Sequence, residues 1–586
     1  MILNNKTHYN KLINRRTFLL LIGKLWLLCM LVGRLFYLQI LQSGKYKILS
    51  DRNRINIIVL VAKRGKILDC HGNILAFNEQ VFQIRANKKI LAQNQYTTLN
   101  LLYDILNFSQ EKREQINKKT LTNINEILIL DNISWNELAI VEENSLNLPG
   151  IYIDIIEYRA YSYPLSTSHI LGYTAWANDA EKANLNIERT RIQIGKRGLE
   201  KHFEDDLNGT CGFKKIEVDA RGLKVRDLET TESIPGKDIV LSIDIRLQNK
   251  LYEMFNNNIG AAILTDVNTG KIKALVSVPG YNINAFPRRI STKDWQALLD
   301  DPNLPLVSRA SQSLYHPGSI FQLVTVLAAL DAGINPKLII CCNGKSFANN
   351  ANFGCWDGHG NIDMLNAIKY SCNNYIYHLA KMIDYNNILA MARKLGFWRK
   401  TVVNFSNELI GNIPTPEWKK QKIKQRWILG DTLNIAIGQG YITTTPLQLA
   451  RMITSLANGK QLLQLSLTVD EHGYHKNLNI NASHIDFIYQ ALKAASINEI
   501  GETDHSLHKL IILGKAGSAQ VGSSWQRQQS HGLFVGFSTT FDCPKYAVAV
   551  VLEHAGQTGI KSATTIAKNI LTEASTSSTI FNSVQE

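Results

Sequence analysis

The sequence predicts an α+β protein carried on a membrane-spanning helix. Three features predict it: one long apolar run at 18–40, short β runs across roughly 51–245, and beyond them a hairpin, a series of helices and closing strands. Strands that come first and last, with helices gathered between them, fit a sheet covered by helices rather than an alternating doubly wound sheet. At 586 residues the chain exceeds what one core can hold, and 45% apolar with 19% charged residues excludes wholesale disorder.

The apolar run Phe18–Ile40 is long enough to span a bilayer as a helix, with Lys24 and Arg34 near enough to its ends to snorkel outward. A cleavable signal peptide is the rival reading. The stretch is long for such a segment, however, and no small-x-small site precedes Gln42-Ser43-Gly44. Arg15-Arg16 carries a weak twin-arginine hint. Lys6, Lys11, Arg15 and Arg16 ahead of the span place residues 1–17 in the cytoplasm and the bulk of the chain in the periplasm, as a single-pass inner-membrane protein. The net charge of +15 suits phospholipid headgroups or acidic wall polymers; no Lys/Arg block is long enough to argue for nucleic acid.

Residues 41–245 read as an elongated β-rich spacer. Ile55–Val61 forms a strand, Arg64–Asp69 with His71-Gly72-Asn73 a turn between strands, 97–145 a polar helical stretch, and Ile151 onward a second β-rich stretch. Asp238–Ile245 alternates as a strand and Arg246–Asn256 suits a helix. Residues 246–573 form the second domain. Ala261–Val278 is a hairpin about Val267-Asn268-Thr269-Gly270, and later strands cover Ile511–Leu513, Leu533–Phe537 and Tyr546–Leu552. Helices cover Ser319–Leu330, Ile362–Ile383 and Pro446–Leu456, the last with Thr445 as N-cap, Pro446 at N1 and Gln448 completing a capping box. Residues 574–586 read as a loose tail.

Three short patterns carry chemistry. Tyr315-His316-Pro317-Gly318-Ser319-Ile320-Phe321-Gln322 puts Ser319 in the first turn of a helix, where unpaired N–H groups favour a developing anion; serving only as an N-cap is the rival role. Ser371-Cys372-Asn373 forms a polar patch in an apolar helical segment. Lys515-Ala516-Gly517-Ser518 follows a buried strand run, where a lysine and a hydroxyl on a strand edge can hold a carboxylate while the edge backbone aligns a peptide. Each pattern is weak alone; their order in an anchored, two-domain chain is much stronger.

These places resemble the S-x-x-K, S-x-N and K-[ST]-G boxes of penicillin-binding proteins and serine β-lactamases. Arg64-Gly65-x-Ile67-x-Asp69-x-x-Gly72 resembles the pedestal signature of class B penicillin-binding proteins, and Ala436–Tyr441 with Thr445-Pro446 resembles their motif between the second and third boxes. The resemblance is closest to the elongation-type members. It implies a pedestal or dimerisation-type domain followed by a serine β-lactamase-like transpeptidase domain, an antiparallel sheet covered by helices. It also implies D,D-transpeptidation of peptidoglycan stem peptides through a serine acyl-enzyme, β-lactams as inhibitors, and a membrane glycan polymerase and elongation-complex proteins as partners. Ser319 is then the nucleophile and its N–H part of the oxyanion hole, Ser371 and Asn373 relay protons and orient the substrate amide, and Lys515 with Ser518 binds the terminal carboxylate. The chemistry requires no cofactor.

Two positions depart from the pattern. Gln322 stands where the family has the lysine that takes the serine proton, and an amide cannot accept it near neutral pH. Ala516 stands in place of a hydroxyl residue, for which Ser518 is a partial replacement, and Lys515 is a candidate substitute base. An impaired enzyme is therefore expected, with a non-catalytic partner of the glycan polymerase as the rival.

Of eight cysteines, Cys341, Cys342, Cys355 and Cys372 fall in one window. Cys342, Cys355, His359 and Cys372 bracket a Gly-rich loop with a donor set that suits tetrahedral Zn²⁺. The resemblance adds that some elongation-type relatives carry zinc near the second box. A disulfide and free buried thiols are the other readings.

Overall fold

The computed structural model describes residues 15–44, 54–91, 95–120, 126–184, 192–218, 224–344, 353–402, 405, 407–470, 475–500, 510–519, 530–540 and 543–582. They fall into two compact units, one of Met1–Lys63 with Gly209–Pro235 and one of Arg64–Asn208 with Gly236–Glu586.

The first unit holds the N-terminal helix Arg15–Phe36, which runs on through Tyr37–Leu41. Among the described residues Phe18–Leu41 is the one helix long and apolar enough to cross a membrane, and none of its side chains is buried. A three-stranded antiparallel sheet follows, Ile55–Leu60, Gly212–Val218 and Lys224–Thr231, so the expected strand at 55–61 is present.

In the second unit the long strand Ile74–Asn87 pairs antiparallel with Ile151–Tyr161, from Ala76 opposite Tyr161 to Ala86 opposite Ile151. Residues 97–145 are not wholly helical. Glu126–Leu130 is a strand on the edge of Ile74–Asn87, and helices Gln95–Ile105, Gln110–Thr120 and Trp135–Glu143 surround it. The short apolar run Ile127–Leu130 turns Ile127 and Ile129 into the core with Leu99, Tyr103 and Ile116. A run of that length carries no period that separates strand from helix, and tertiary pairing decides it.

The Arg64–Gly72 signature is a packing device. Arg64 donates from Nε to Glu200 Oε2 at 2.7 Å and from Nη2 to Glu204 Oε2 at 2.7 Å, while Arg159 Nε donates to Glu200 Oε1 at 2.6 Å. Burial alone would raise the Glu200 carboxyl, yet Arg159 and Arg64 hold it below the ordinary carboxylate range. A Cβ on Gly65 would lie 2.0 Å from the Lys237 carbonyl oxygen, so only glycine fits there. Asp69 accepts from the backbone N–H of His71 and Asn73, each at 2.8 Å, and closes the turn into the next strand.

The expected strand Asp238–Ile245 is shorter. Ile239–Val240 pairs parallel with Ile67–Leu68, and Asp244 caps helix α1 (Ile245–Glu253) by accepting from Arg246 N at 3.0 Å. An antiparallel five-stranded sheet follows from β1 (Gly260–Asp266), β2 (Ile272–Val278), β3 (Leu510–Ala519), β4 (His531–Thr540) and β5 (Cys543–Leu552), in the order β2–β1–β5–β4–β3. Alternation sorts its side chains into two cores. Ala262, Leu264, Phe534, Val548 and Val550 pack with α1 and the C-terminal helix Gly559–Asn582, while Ala261, Ile263, Val535, Ala547 and Val551 pack with the helices between β2 and β3. Burial on both faces explains why these strands read as continuous apolar runs.

Those intervening helices include α2 (Gln322–Asp331), α3 (Met364–Lys369), α4 (Asn373–Met382), α5 (Leu429–Ala436) and α6 (Pro446–Asn458). The single helix expected over 362–383 is two, broken at Ser371 with φ +51°. At α6 Thr445 Oγ1 accepts from Gln448 N at 3.2 Å, but the Gln448 side chain donates to the Ile410 carbonyl instead of closing a capping box. The tail expected to be loose is helical to Asn582: Ala574 and Ser575 are buried, and Ser575 Oγ meets Ser538 Oγ at 3.1 Å, small side chains packing where composition suggested disorder.

Replacing Glu200 by alanine removes the carboxylate that pairs with buried Arg159 and leaves Arg64 with Glu204 alone; the expected loss is about 3–5 kcal/mol in a denaturant-unfolding experiment.

Candidate active site

Ser319 lies in a 3₁₀ turn, Gly318–Phe321, immediately before α2. Its side chain caps neither the turn nor the helix, which removes the N-cap role. Gly318 takes φ +56°, and a Cβ there would sit 2.3 Å from the Ser518 carbonyl oxygen. Gly438, at φ +74°, would place a Cβ 2.3 Å from the Gly318 carbonyl oxygen, and Gly318 N donates to Gly438 O at 3.0 Å. Gly517 would place a Cβ 3.4 Å from Ser319 N. Three backbones thus meet at the serine with no space for side chains between them.

The three sequence boxes come together here. Ser319, Ser371, Asn373, Ala516, Gly517 and Ser518 line one cleft of about 680 Å³. In β3, Lys515 and Gly517 share the face turned toward Ser319 and the helices, whereas Ala516 and Ser518 share the other. Lys515 is fully buried behind the cleft, and its Nζ donates to Ser371 Oγ and, at 3.3 Å, to the Ala516 carbonyl. Ser518, by contrast, is exposed on the strand. Among the described residues no strand pairs with the outer edge of β3. Ser496 covers that edge at Gly514, donating to its carbonyl at 3.4 Å and accepting from its N–H at 2.8 Å. The stretch that Ala516–Ser518 contributes faces the cleft, where an extended peptide can add as a strand.

Gln322 is fully buried one turn beyond Ser319. Its Nε2 donates to Asn373 Oδ1 at 3.2 Å, tying the first box to the second, while Oε1 is buried with no partner among the described residues. Sequence reasoning missed several lining residues, Trp356, Tyr370, Tyr377, Asn434 and Ile560 among them. Asn434 lies one segment before the Ala436–Tyr441 motif, the only sequence signal that pointed there.

Beside the cleft Cys342, Cys355, His359 and Cys372 present four donor atoms within 4.8 Å of one another. His359 Nδ1 lies 3.6 Å from Cys342 Sγ and 3.5 Å from Cys355 Sγ, and the Cys355 and Cys372 sulfurs are 3.9 Å apart. The edges of a tetrahedron around an ion bound at about 2.3 Å to sulfur and 2.0–2.1 Å to nitrogen fall close to these values. A disulfide needs sulfurs at about 2.05 Å, and all four sulfurs of this window, exposed Cys341 included, are free. The hydrogen bond with Cys372 pulls the Cys355 thiol down to about 4 against the effect of burial, and the same bond pushes the Cys372 thiol up.

Comparison with known proteins follows this geometry. The chain matches the penicillin binding protein transpeptidase domain over residues 260–572 and the penicillin-binding protein dimerisation domain over residues 59–241. The peptidoglycan D,D-transpeptidase MrdA of Acinetobacter baumannii is 32% identical, over 93% of this chain and 85% of that protein. Among solved structures, the complex between penicillin-binding protein (PBP2) and MreC from Helicobacter pylori has a TM-score of 0.79 at 27% identity, covering 89% of this chain and 99% of that one. A structure titled for the coordination of polymerization and crosslinking by a peptidoglycan synthase complex has a TM-score of 0.71 at 25% identity, covering 95% and 97%.

Gly318→Ala is expected to lower the melting temperature by several degrees, since it combines a left-handed backbone costing about 1–2 kcal/mol with a carbonyl clash. An alanine variant as stable as the parent in a thermal melt would mean that the backbones are not in close contact.

Proposed function

The chain belongs to the penicillin-binding protein transpeptidase family, and we propose that it is an elongation-type peptidoglycan D,D-transpeptidase whose acylation step is impaired at Gln322. Ser319 Oγ attacks the carbonyl between the two terminal D-alanines of a stem peptide. The C–N bond breaks, D-alanine leaves, and the acyl group passes from Ser319 to an amine of a neighbouring strand. The Ser319 N–H stabilises the oxyanion, β3 aligns the peptide, and Ser518 and Lys515 hold the terminal carboxylate. Ser371, hydrogen-bonded to Lys515, passes a proton to the leaving amine, and Asn373 orients the substrate amide.

One observation carries the impairment: Gln322 occupies the buried position next to Ser319 with an amide that holds Asn373 and cannot take the serine proton. Loss of a general base costs about 10²–10⁴-fold in rate. The chain sits in the inner membrane by the apolar helix Phe18–Leu41, with its N-terminus in the cytoplasm and its bulk in the periplasm. Cys342, Cys355, His359 and Cys372 would hold a structural zinc, which would crosslink the elements that carry them, apart from the acyl transfer. The expected division is residues 41–245 for the pedestal and 246–573 for the transpeptidase domain.

A second reading is a non-catalytic partner that supports the glycan polymerase and elongation-complex proteins. It draws on the intact Arg64–Gly72 packing and on two similar structures, one a complex with MreC and one titled as a peptidoglycan synthase complex.

Fluorescent-penicillin labelling of the full chain in detergent separates the two. The expected outcome is labelling of the natural chain about 10²–10⁴-fold slower than that of Gln322→Lys and absent in Ser319→Ala. Equal rates for the natural chain and Gln322→Lys would remove the impairment, and no labelling in any variant would favour the partner reading. Metal analysis is expected to find close to one zinc per chain, and stripping it with a chelator to lower the melting temperature; a chain purified without chelator and lacking zinc would end the metal assignment.

A further inference from the structure

The cluster beside the cleft carries a second chemistry. The Cys355 and Cys372 sulfurs lie 3.9 Å apart, so a relative movement of about 1.9 Å brings them to disulfide distance. Their settings differ. Cys372 is fully buried at the N-terminus of α4, whereas Cys355 is half-buried in the irregular stretch 353–359. Its neighbours Gly354 and Trp356 line the cleft, and among the described residues a Cβ on Gly354 would meet one atom within 4 Å, so Cys355 borders a route to solvent. Cys342, also fully buried, is held in the ladder Ile340–Cys342 against Gly360–Ile362.

We propose that Cys355 and Cys372 form a redox-modification site, a dithiol that a disulfide oxidant entering through the cleft converts to an intramolecular disulfide. Cys355 Sγ attacks one sulfur of the oxidant, the oxidant's S–S bond breaks, and one thiolate leaves, giving a mixed disulfide on Cys355. Cys372 Sγ then attacks Cys355 Sγ, the mixed disulfide breaks, and the second thiolate leaves. The two protein thiols lose two electrons in all, and the oxidant disulfide gains them as two thiolates. The product leaves Cys342 and His359 as two donors where tetrahedral binding needs four, so the oxidised and metal-loaded forms exclude each other. The pair straddles the second box, because Cys372 lies between Ser371 and Asn373. The inference rests on the periplasmic placement proposed above, where disulfides persist, but the dithiol chemistry does not require that the metal reading hold.

The full chain, purified in detergent and fully reduced, is assayed for zinc, incubated with oxidised glutathione, alkylated, and digested without reduction for mass spectrometry. The expected product is a linked peptide pair joining Cys355 to Cys372, two hydrogens lighter than the dithiol, with bound zinc falling as the link forms. Three outcomes overturn the proposal: both cysteines fully alkylated, glutathione remaining on Cys355 without transfer, or a link to Cys342 in place of this pair. Zinc retained on linked chains overturns the exclusion. A chain that holds no zinc and still forms the link upholds the redox site while ending the metal assignment, so the two readings fail separately. Cys355→Ser is expected to form no such link while its remaining cysteines stay countable by alkylation.

Discussion

The cleft depends on backbone meeting backbone at Ser319. Gly318 approaches the Ser518 carbonyl and Gly438 the Gly318 carbonyl more closely than a side chain would permit, and Gly517 packs tightly against the Ser319 turn. These glycines come from a 3₁₀ turn, a loop and an edge strand that are far apart in sequence. Their contact brings the serine, the strand edge and the intervening motif into one site on rigid elements, the condition under which a catalytic constellation holds its geometry. Strand alternation then does the rest. Once Gly517 faces the serine, Lys515 must face the same way, and its ammonium is buried against Ser371 instead of standing in the cleft.

Gln322 shows how a fold and its chemistry come apart. The amide fills the buried position and bonds to Asn373, so the tie between the first two boxes survives. The remaining Oε1 is buried with no partner among the described residues, a defect of about 1–3 kcal/mol if left unmade. Packing needs only a long side chain with a donor near its end, whereas proton transfer needs an atom of suitable basicity.

The same distinction marks what could be read from the sequence. The Tyr315–Gln322, Ser371–Asn373 and Lys515–Ser518 patterns were legible because each combines polar residues with an apolar element, and they do converge. The four metal-type donors were legible by chemistry and spacing, and the fold gathers them. The break inside 362–383 was not, because Tyr370-Ser371-Cys372 contains neither glycine nor proline and the apolar period continues across it. Nor was the strand at Glu126–Leu130, where five residues in a polar region fit either structure until Ile74–Asn87 offers its edge. The lengths of β3 and β4 were underestimated because glycines at 514, 517 and 532 and the polar Ser538-Thr539-Thr540 end their apolar runs. The Ser496 bond to the edge of β3 had no local signal at all, since a serine within a helix looks the same wherever it points.

Ser371 joins these strands of reasoning. A non-glycine residue at φ +51° costs free energy and persists only where its surroundings over-determine it. On one side the Lys515 ammonium holds its hydroxyl. On the other, Cys372 N donates to the Ala367 carbonyl at 2.9 Å while the Cys372 sulfur belongs to the four-donor cluster. Asn373 then opens α4 and holds Gln322. The second box is therefore clamped between a buried cation and a set of thiols, and its conformation is a property of both. Ser371 and Cys372 are joined by a single peptide bond, so the second box and the sulfur cluster share one stretch of backbone.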